Sequence, residues 1–416
     1  MGPYPAPGAG PGCSVSAGAS VDWGAEDEPF FGFSTLAWIV LHRLQTPGYR
    51  LQVFSCSLKA VAPAMIPGTR ILAAMSGGVD SSVAAARLVD DGWEVVGVTL
   101  HLWDYPDDAR EKTRCCAPED AHDARLVADH LGIPHYTFDR RELFRDRVVE
   151  PFVAAYLEGR TPSPCVWCNR SVKMRELLGM ASLLGAGAVA TGHYARIVPD
   201  ASGRARLHQG RDAHKDQSYF LYMLESDELE RVRLPLGDSL KDEVRREARE
   251  RGLPGADKGE SQELCFVPDG AYADFVEQRA ANRVRPGPIV DERGREVGRH
   301  AGIHRYTVGQ RRGLGVALGA PAYVSRIDGD RVVVGGAEAL ASSAAVLRDD
   351  SWSDDMCFPR HADVKVRSHH KAAAARLERT PEGVRLWFDE PVRAVAPGQI
   401  AVAYDGDRVL GGGTIV

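Results

Sequence analysis

Apolar residues recur in two rhythms along this chain. Between residues 65 and 265, short continuous apolar runs alternate with segments of helical spacing. Residues 69–75 (TRILAAM) and 93–100 (WEVVGVTL) read as buried strands, and residues 83–89, 118–131 and 141–159 as helices. Residues 135–138 add another strand, and residues 188–196 a strand that ends in a Gly-His turn. Strands alternating with helices predict an α/β domain with a doubly wound parallel sheet. From residue 266 the rhythm changes. A short helix at 270–282 gives way to strand-like runs at 287–290, 322–327, 331–335, 362–366, 384–388 and 400–403, separated by Gly, Pro and charged turns. These runs read as a small central β domain over 266–339 and a C-terminal β-barrel over 340–416.

Residues 1–64 belong to neither rhythm. Their first part is rich in Gly, Pro, Ala and Ser, and the apolar run at 30–41 is short. Asp22, Glu26, Asp27 and Glu28 stand where a signal peptide needs positive charge. The segment reads as a disordered extension or the product of an upstream start codon, with Met65 as the start of the protein proper and Cys13 and Cys56 as bystanders.

A net charge of −6, with 44% hydrophobic and 26% charged residues, argues against a chain coated in basic surface. Any nucleic acid must then be held by a local patch. Eight cysteines, several clustered in the α/β half, point to thiol or metal chemistry in a reducing cytoplasm. No apolar stretch has the length of a membrane span.

The candidate chemistry begins at Ser76-Gly77-Gly78-Val79-Asp80-Ser81-Ser82, between the first strand and its helix. Two glycines able to take positive φ let consecutive N–H groups and a helix N-terminus point into one pocket, an anion site. Asp80 suits a helix-start carboxylate or a ligand for phosphate-bound Mg²⁺. The loop lacks the Gly-Lys-Ser/Thr ending of a Walker A loop and resembles the Ser-Gly-Gly-X-Asp-Ser loop of the ATP pyrophosphatase superfamily. Leu100, at the end of the second strand, can pack on an adenine or serve only as a strand residue.

Cys165-Val-Trp-Cys168 follows two prolines, at a spacing that allows two thiolates to grip one metal or one to resolve the other. Asn169, Arg170 and Lys173 then begin a helix, and a cationic helix start lowers a thiol pKa. Adjacent Cys115 and Cys116 read as incidental. Residues 215–221 (KDQSYFL) place a polar cluster at a helix start, and Cys265 lies in a strand-like run, 261–266.

Together SGGVDSS, TPSPCVWCN, ATGHYAR, KDQSYFL, ELCF, IHRYTVGQRRGLG and AVAPGQIAVAY have the order and spacing of bacterial tRNA-specific 2-thiouridylases, from Thr69 to the C-terminus. The resemblance implies ATP- and Mg²⁺-dependent adenylation of the C2 oxygen of a tRNA wobble uridine, then replacement by sulfur with release of AMP and pyrophosphate. It implies ATP contacts at Ala74, Met75, Ser76, Gly77, Gly78, Val79, Asp80, Ser81, Leu100 and Gly192. Cys168 matches the family nucleophile and Cys265 the cysteine that carries a persulfide, with a Cys168–Cys265 disulfide left after transfer. Positions matching tRNA contacts are Ser163, Pro164, Cys165, His193, Lys215, Asp216, Gln217, Arg367, Ser368 and Gln399. The implied partners are tRNA and a sulfur-donor protein fed by a cysteine desulfurase.

The chain departs from the resemblance where many members carry TPNPD with a single cysteine. Here Ser163 and Cys165 stand in TPSPCVWC, so a carboxylate is missing and three cysteines, Cys165, Cys168 and Cys265, become available. They could ligate a [4Fe-4S] cluster whose open iron carries the sulfur. Persulfide relay and cluster both remain open at this point. Arg305, Tyr306, Arg311 and Arg312, and the run Lys365, Arg367, His369, His370, Lys371, are the local basic patches. Two rivals are an amide-forming ATP pyrophosphatase, which leaves the cysteines unexplained, and an RNA-binding module with a relic pocket.

Overall fold

The α/β half is built on five strands, and in this computed structural model they run parallel. In chain order these are β1 (Arg70–Ala74), β2 (Glu94–His101), β3 (His135–Asp139) and β4 (Ala188–Ala190); the hairpin β5 (Ala195–Pro199) and β6 (Ala205–Gln209) leaves the sheet before β7 (Val232–Arg233) rejoins it. Their spatial order is β3-β2-β1-β4-β7. The chain therefore winds outward on one side of β1 and then crosses to the other, leaving a crevice beyond the carboxyl ends of β1 and β4. The described residues are 69–104, 118–259, 264–267, 271–316 and 319–416. The expectations for residues 1–64, Cys13, Cys56, Cys115, Cys116 and Ser261 to Glu263 lie outside them. No helix among the described residues is long and apolar enough to cross a membrane.

Alternate residues of β1 face opposite layers, as strand geometry requires. Ile71 and Ala73 pack with Leu88 of α1 (Val79–Asp90) and Val127 of α2 (Pro118–Leu131). Leu72 joins Phe152, Val172, Leu177 and Leu178 on the other face. The expected single helix over 141–159 is interrupted. It runs as α3 (Arg141–Phe144), a π turn (Arg145–Val149) and α4 (Glu150–Leu157). Pro151, in the first turn of α4, has no N–H for the ladder, and the wider turn absorbs the missing bond.

After α5 (Pro164–Cys168), a second π turn (Asn169–Met174) leads into α6 (Arg175–Leu183). Residues 215–221 do not start an α-helix. They form a turn and one 3₁₀ turn, Ser218–Phe220, because the Asp216 carboxylate accepts the Ser218 and Gly210 N–H groups and the Tyr219 hydroxyl donates to the Ile400 carbonyl at 2.8 Å. Side chains thus satisfy what a helix would have satisfied with backbone. Around Cys265 the described residues make a tight turn, with Val267 N–H on the Leu264 carbonyl at 3.1 Å, instead of a strand.

Two further helices, α7 (Ser226–Glu230) and α8 (Lys241–Glu250), complete the first half, and α9 (Tyr272–Ala280) begins the second. Next come β8 (Gly287–Asp291), β9 (Glu296–His300), β10 (Tyr323–Asp328) and β11 (Arg331–Gly335), a four-stranded sheet around Ile289, Tyr306, Val324 and Val332. The expected barrel is present. Its strands are β12 (Ala341–Trp352), β13 (Arg360–Lys365), β14 (Ala373–Thr380), β15 (Gly383–Arg393), β16 (Ile400–Asp405) and β17 (Arg408–Ile415), and pairing of β12 with both β15 and β17 closes the ring. The β5–β6 hairpin is added at the barrel wall, where Arg408 of β17 pairs with His208 of β6. Val166, Met174, Tyr219 and Tyr222 share one buried cluster with Ile400, Val402 and Val409, so the barrel packs against the cysteine-bearing helix.

Candidate active site

The loop after β1 turns on Gly77 alone, at φ +69°. Gly78 is extended at φ −89° and takes the N-cap position of α1. A Cβ on Gly77 would lie 2.4 Å from the Asp120 carbonyl, so both its φ and its surroundings require glycine. The serines brace the turn: the Ser76 N–H donates to Ser81 Oγ at 3.1 Å, and the Ser81 and Ser82 hydroxyls donate to the Gly78 carbonyl at 2.9 and 3.0 Å. Gly192, after β4, comes so close to this turn that a Cβ would sit 2.9 Å from Ser81 N.

Between them lies a cavity of about 210 Å³. Its polar lining includes Ser76, Ser81, Asp80, Asp120 and Lys173, and its apolar lining Val98, Leu100, Leu102, Met174 and Leu177. A lining that joins an N–H cradle to apolar side chains suits a nucleotide, which carries both phosphates and a base. Ala74 and Met75 also line it, and Gly77, Gly78 and Val79 form the loop itself.

Two lysines that sequence reasoning missed hold the cavity's carboxylates. Buried Lys241 Nζ lies 2.7 Å from both Asp80 oxygens, and the Tyr194 hydroxyl donates to Oδ1 at 2.8 Å. Lys258 Nζ lies 2.5 Å from Asp120 and 3.0 Å from Asp123. Lys241 opens a highly charged helix, KDEVRREARE, and nothing in that composition marks one of its cations as buried. With both oxygens engaged by Lys241, Asp80 fits a brace for the loop better than a direct Mg²⁺ ligand.

Cys168 closes α5 and is 6% exposed. It lies within a continuous helical run, not at a cationic helix start, and its thiol is not activated as expected. Burial pushes its pKa up to about 11, against the opposing pull of Lys173, with Cys165 adding to the rise. Cys265 is half-buried and packs against the apolar cluster that encloses Cys168. Its neighbour Phe266, 2% exposed, meets Phe152, Phe275 and Phe144 at ring distances of 5.0, 5.5 and 5.6 Å. This plug is the physical reason for a turn at residues 264–267. Cys165 is exposed, and no three metal-ligating side chains are gathered anywhere among the described residues.

The residues matching tRNA contacts fall in two places. Ser163, Pro164 and Cys165 enter α5, with Ser163 at its N-cap. Gln399 reaches across from the barrel to the segment just before them, where its amide donates to the Thr161 and Pro162 carbonyls at 3.0 and 3.3 Å. His193 hydrogen-bonds Thr191 Oγ1 at 2.8 Å, and burial, reinforced by the Lys173 charge, pushes its pKa down to about 3. It faces the cavity with Gln217, whose side chain accepts the Tyr194 N–H at 2.9 Å.

Asp216 is bonded within its own turn and to Lys365, and the Lys215 backbone N–H is on the Asp212 carbonyl. The Arg367 guanidinium donates to the Ala394 and Val308 carbonyls at 2.6 and 3.3 Å, tying the barrel to the central sheet's loops, with half-buried Ser368 beside it. Arg305 is taken by Glu277 and Asp274. Arg311, Arg312, His369 and Lys371 are exposed.

Comparison with known proteins covers nearly all the described residues. A family model described as a tRNA methyl transferase HUP domain matches residues 69–269, a tRNA methyl transferase PRC-barrel domain matches 273–335, and an aminomethyltransferase beta-barrel domain matches 346–415. The chain is 64% identical to a tRNA-specific 2-thiouridylase of Sorangium cellulosum, over 84% of this chain and 92% of that one. It is 50% identical to the Chloroflexus aggregans enzyme of the same name, over 83% and 98%. For the one from Paramagnetospirillum magneticum the identity is 49%, over 83% and 95%.

Proposed function

The chain belongs to the family of tRNA-specific 2-thiouridylases, and from that premise we propose that it uses ATP to exchange the C2 oxygen of a tRNA wobble uridine for sulfur. The observation that carries this reading is the helical run over 164–183. Lys173, Met174 and Leu177 line the nucleotide cavity, and Cys168 lies on the same run. A nucleotide and a thiol held on one element suit a reaction that activates an oxygen and then replaces it with sulfur.

In the first step the uridine C2 oxygen attacks the α-phosphate of ATP, and pyrophosphate leaves. Oxide is a poor leaving group and AMP a good one. The terminal sulfur of a Cys265 persulfide then adds to C2, AMP departs, and the Cys168 thiolate attacks the remaining Cys265 sulfur. The products are 2-thiouridine and a Cys168–Cys265 disulfide, which an external thiol reduces. Neutral His193, at the cavity wall beside Gln217, would stack on or hydrogen-bond the splayed base. Exposed Arg311, Arg312, His369 and Lys371 would take phosphates. A divalent ion arriving with ATP would be held chiefly by the phosphates, given how Asp80 is engaged.

A [4Fe-4S] carrier on Cys165, Cys168 and Cys265 requires three thiolates to converge. No such group is gathered among the described residues, and the persulfide relay is the reading supported here. The test is anaerobic incubation of the iron-free protein with ATP, unmodified tRNA and a persulfide donor, followed by nucleoside mass spectrometry. The reading expects 2-thiouridine and one AMP per thiolation. Thiolation that appears only with iron bound would replace the relay by the cluster, and absence of any ATP-dependent product would end both.

A further inference from the structure

Cys168 and Lys173 are five residues apart, a spacing that an α-helix turns toward different faces. Between them the helix widens into the π turn Asn169–Met174, whose i→i+5 pairing sets residues five apart one above the other. Lys173 forms part of the nucleotide cavity with Met174, Leu177 and His193. Its charge also favours ionisation of the Cys168 sulfur and opposes protonation of His193. One cation therefore serves two places, the space for phosphates and the reactive sulfur. The cavity's two carboxylates, Asp80 and Asp120, are bonded by Lys241 and Lys258.

We propose that Lys173 is a further catalytic residue, whose single positive charge is shared between the phosphates of a bound nucleotide and the sulfur of Cys168. This rests on the thiolation reading above and adds an order of events to it. While nucleotide fills the cavity, phosphate oxygens take up the charge and the thiol keeps its proton. As pyrophosphate and then AMP leave, the charge returns to the sulfur and offsets part of the burial that holds its proton, so that the thiol gives its proton to water as it attacks. A thiolate formed earlier would attack the Cys265 persulfide before the base was activated. Among the described residues, groups that bear on this pair include Cys165, which opposes ionisation of Cys168, neutral His193, and the two lysine-bound carboxylates of the cavity lining.

The rate of iodoacetamide alkylation at Cys168, followed on its own peptide by mass spectrometry against pH, tests this on the full chain without tRNA or sulfur donor. Lys173→Met should slow alkylation at mildly alkaline pH about tenfold, the equivalent of one pKa unit, and Lys173→Arg should stay near wild type. A non-hydrolysable ATP analogue should slow the wild type and the Arg variant further but leave the Met variant unchanged. A Met profile superimposed on the wild type overturns the proposal, as does an analogue that slows all three proteins equally, which would be simple shielding. If Lys173→Met does not fold, Lys173→Gln reads the same shift. Because no thiolation is measured, failure of the thiolation reading would appear separately, in the nucleoside assay.

Discussion

The two ends of the site are held by different physics. At the nucleotide end the turn is stiffened by hydrogen bonds among Ser76, Gly78, Ser81 and Ser82, neighbours in sequence, and by ion pairs from Lys241 and Lys258. At the sulfur end Cys168 and Cys265 come from distant parts of the chain and border one apolar cluster packed with aromatic rings. Charge and directed bonds shape an anion cradle because the ligand is itself charged. Apolar packing keeps water from the Cys168 sulfur. The difference teaches that the two ends should fail separately.

The largest expected effect is at the sulfur end. Cys168→Ser should abolish 2-thiouridine formation while tRNA binding, read by filter retention, stays near wild type. A fully active variant would remove Cys168 from the mechanism. Phe266→Ala should cost about 4 kcal/mol of stability and prevent formation of the Cys168–Cys265 disulfide, with ATP affinity near wild type in the folded fraction. Loss of ATP binding in that variant would break the separation of the two ends.

Asp80→Asn makes the converse case. It leaves Lys241 buried without its counter-charge and should lower stability by about 3 kcal/mol, at the low end because the Asp80 side chain is 34% exposed. ATP binding by calorimetry should fall with it, while the disulfide still forms under oxidation. Gly77→Ala should cost about 2 kcal/mol through its positive φ and also weaken ATP binding, since the Asp120 carbonyl must move.

The smallest effect is in the pH dependence. The folded His193 pKa lies below its unfolded value, so the unfolded chain binds the extra proton. That contribution to stability is complete above about pH 6.5 and is lost as pH falls from there toward about 3. For Cys168 the sign reverses. Its folded pKa is raised, and the contribution present below about pH 9 is lost as pH rises toward 11. Denaturant titrations of His193→Gln and Cys168→Ser against the wild type check each window, and a flat difference would show that the group is not shielded as described.

Legibility in the sequence followed the range of the interactions. The α/β alternation, helix α2 and the turn at SGGVDSS depend on patterns within a few residues; the first two stand in the structure as read, and the turn stands with Gly77 alone at positive φ. Residues 215–221 and the Cys265 turn look regular locally, but the bond from the Tyr219 hydroxyl to Ile400 and the packing of Phe266 on distant rings redirect them through partners far along the chain. The Cys168 thiol shows the same limit. Nearby cations suggested activation, and burial by distant apolar residues outweighs them.

The sequence by itself determined the fold class and the glycine turn between the first strand and its helix, because each rests on residue type and short spacing, whereas Cys168 and Cys265 were singled out only by the resemblance of their motifs to a family. Only the tertiary structure decided which cations brace the site. Lys241 and Lys258 meet Asp80 and Asp120, Arg367 donates to backbone carbonyls, and Lys173, in the π turn after Cys168, lines the cavity. A lysine's role depends on which desolvated partner it meets, and that is set by packing between elements, not by the residues on either side of it.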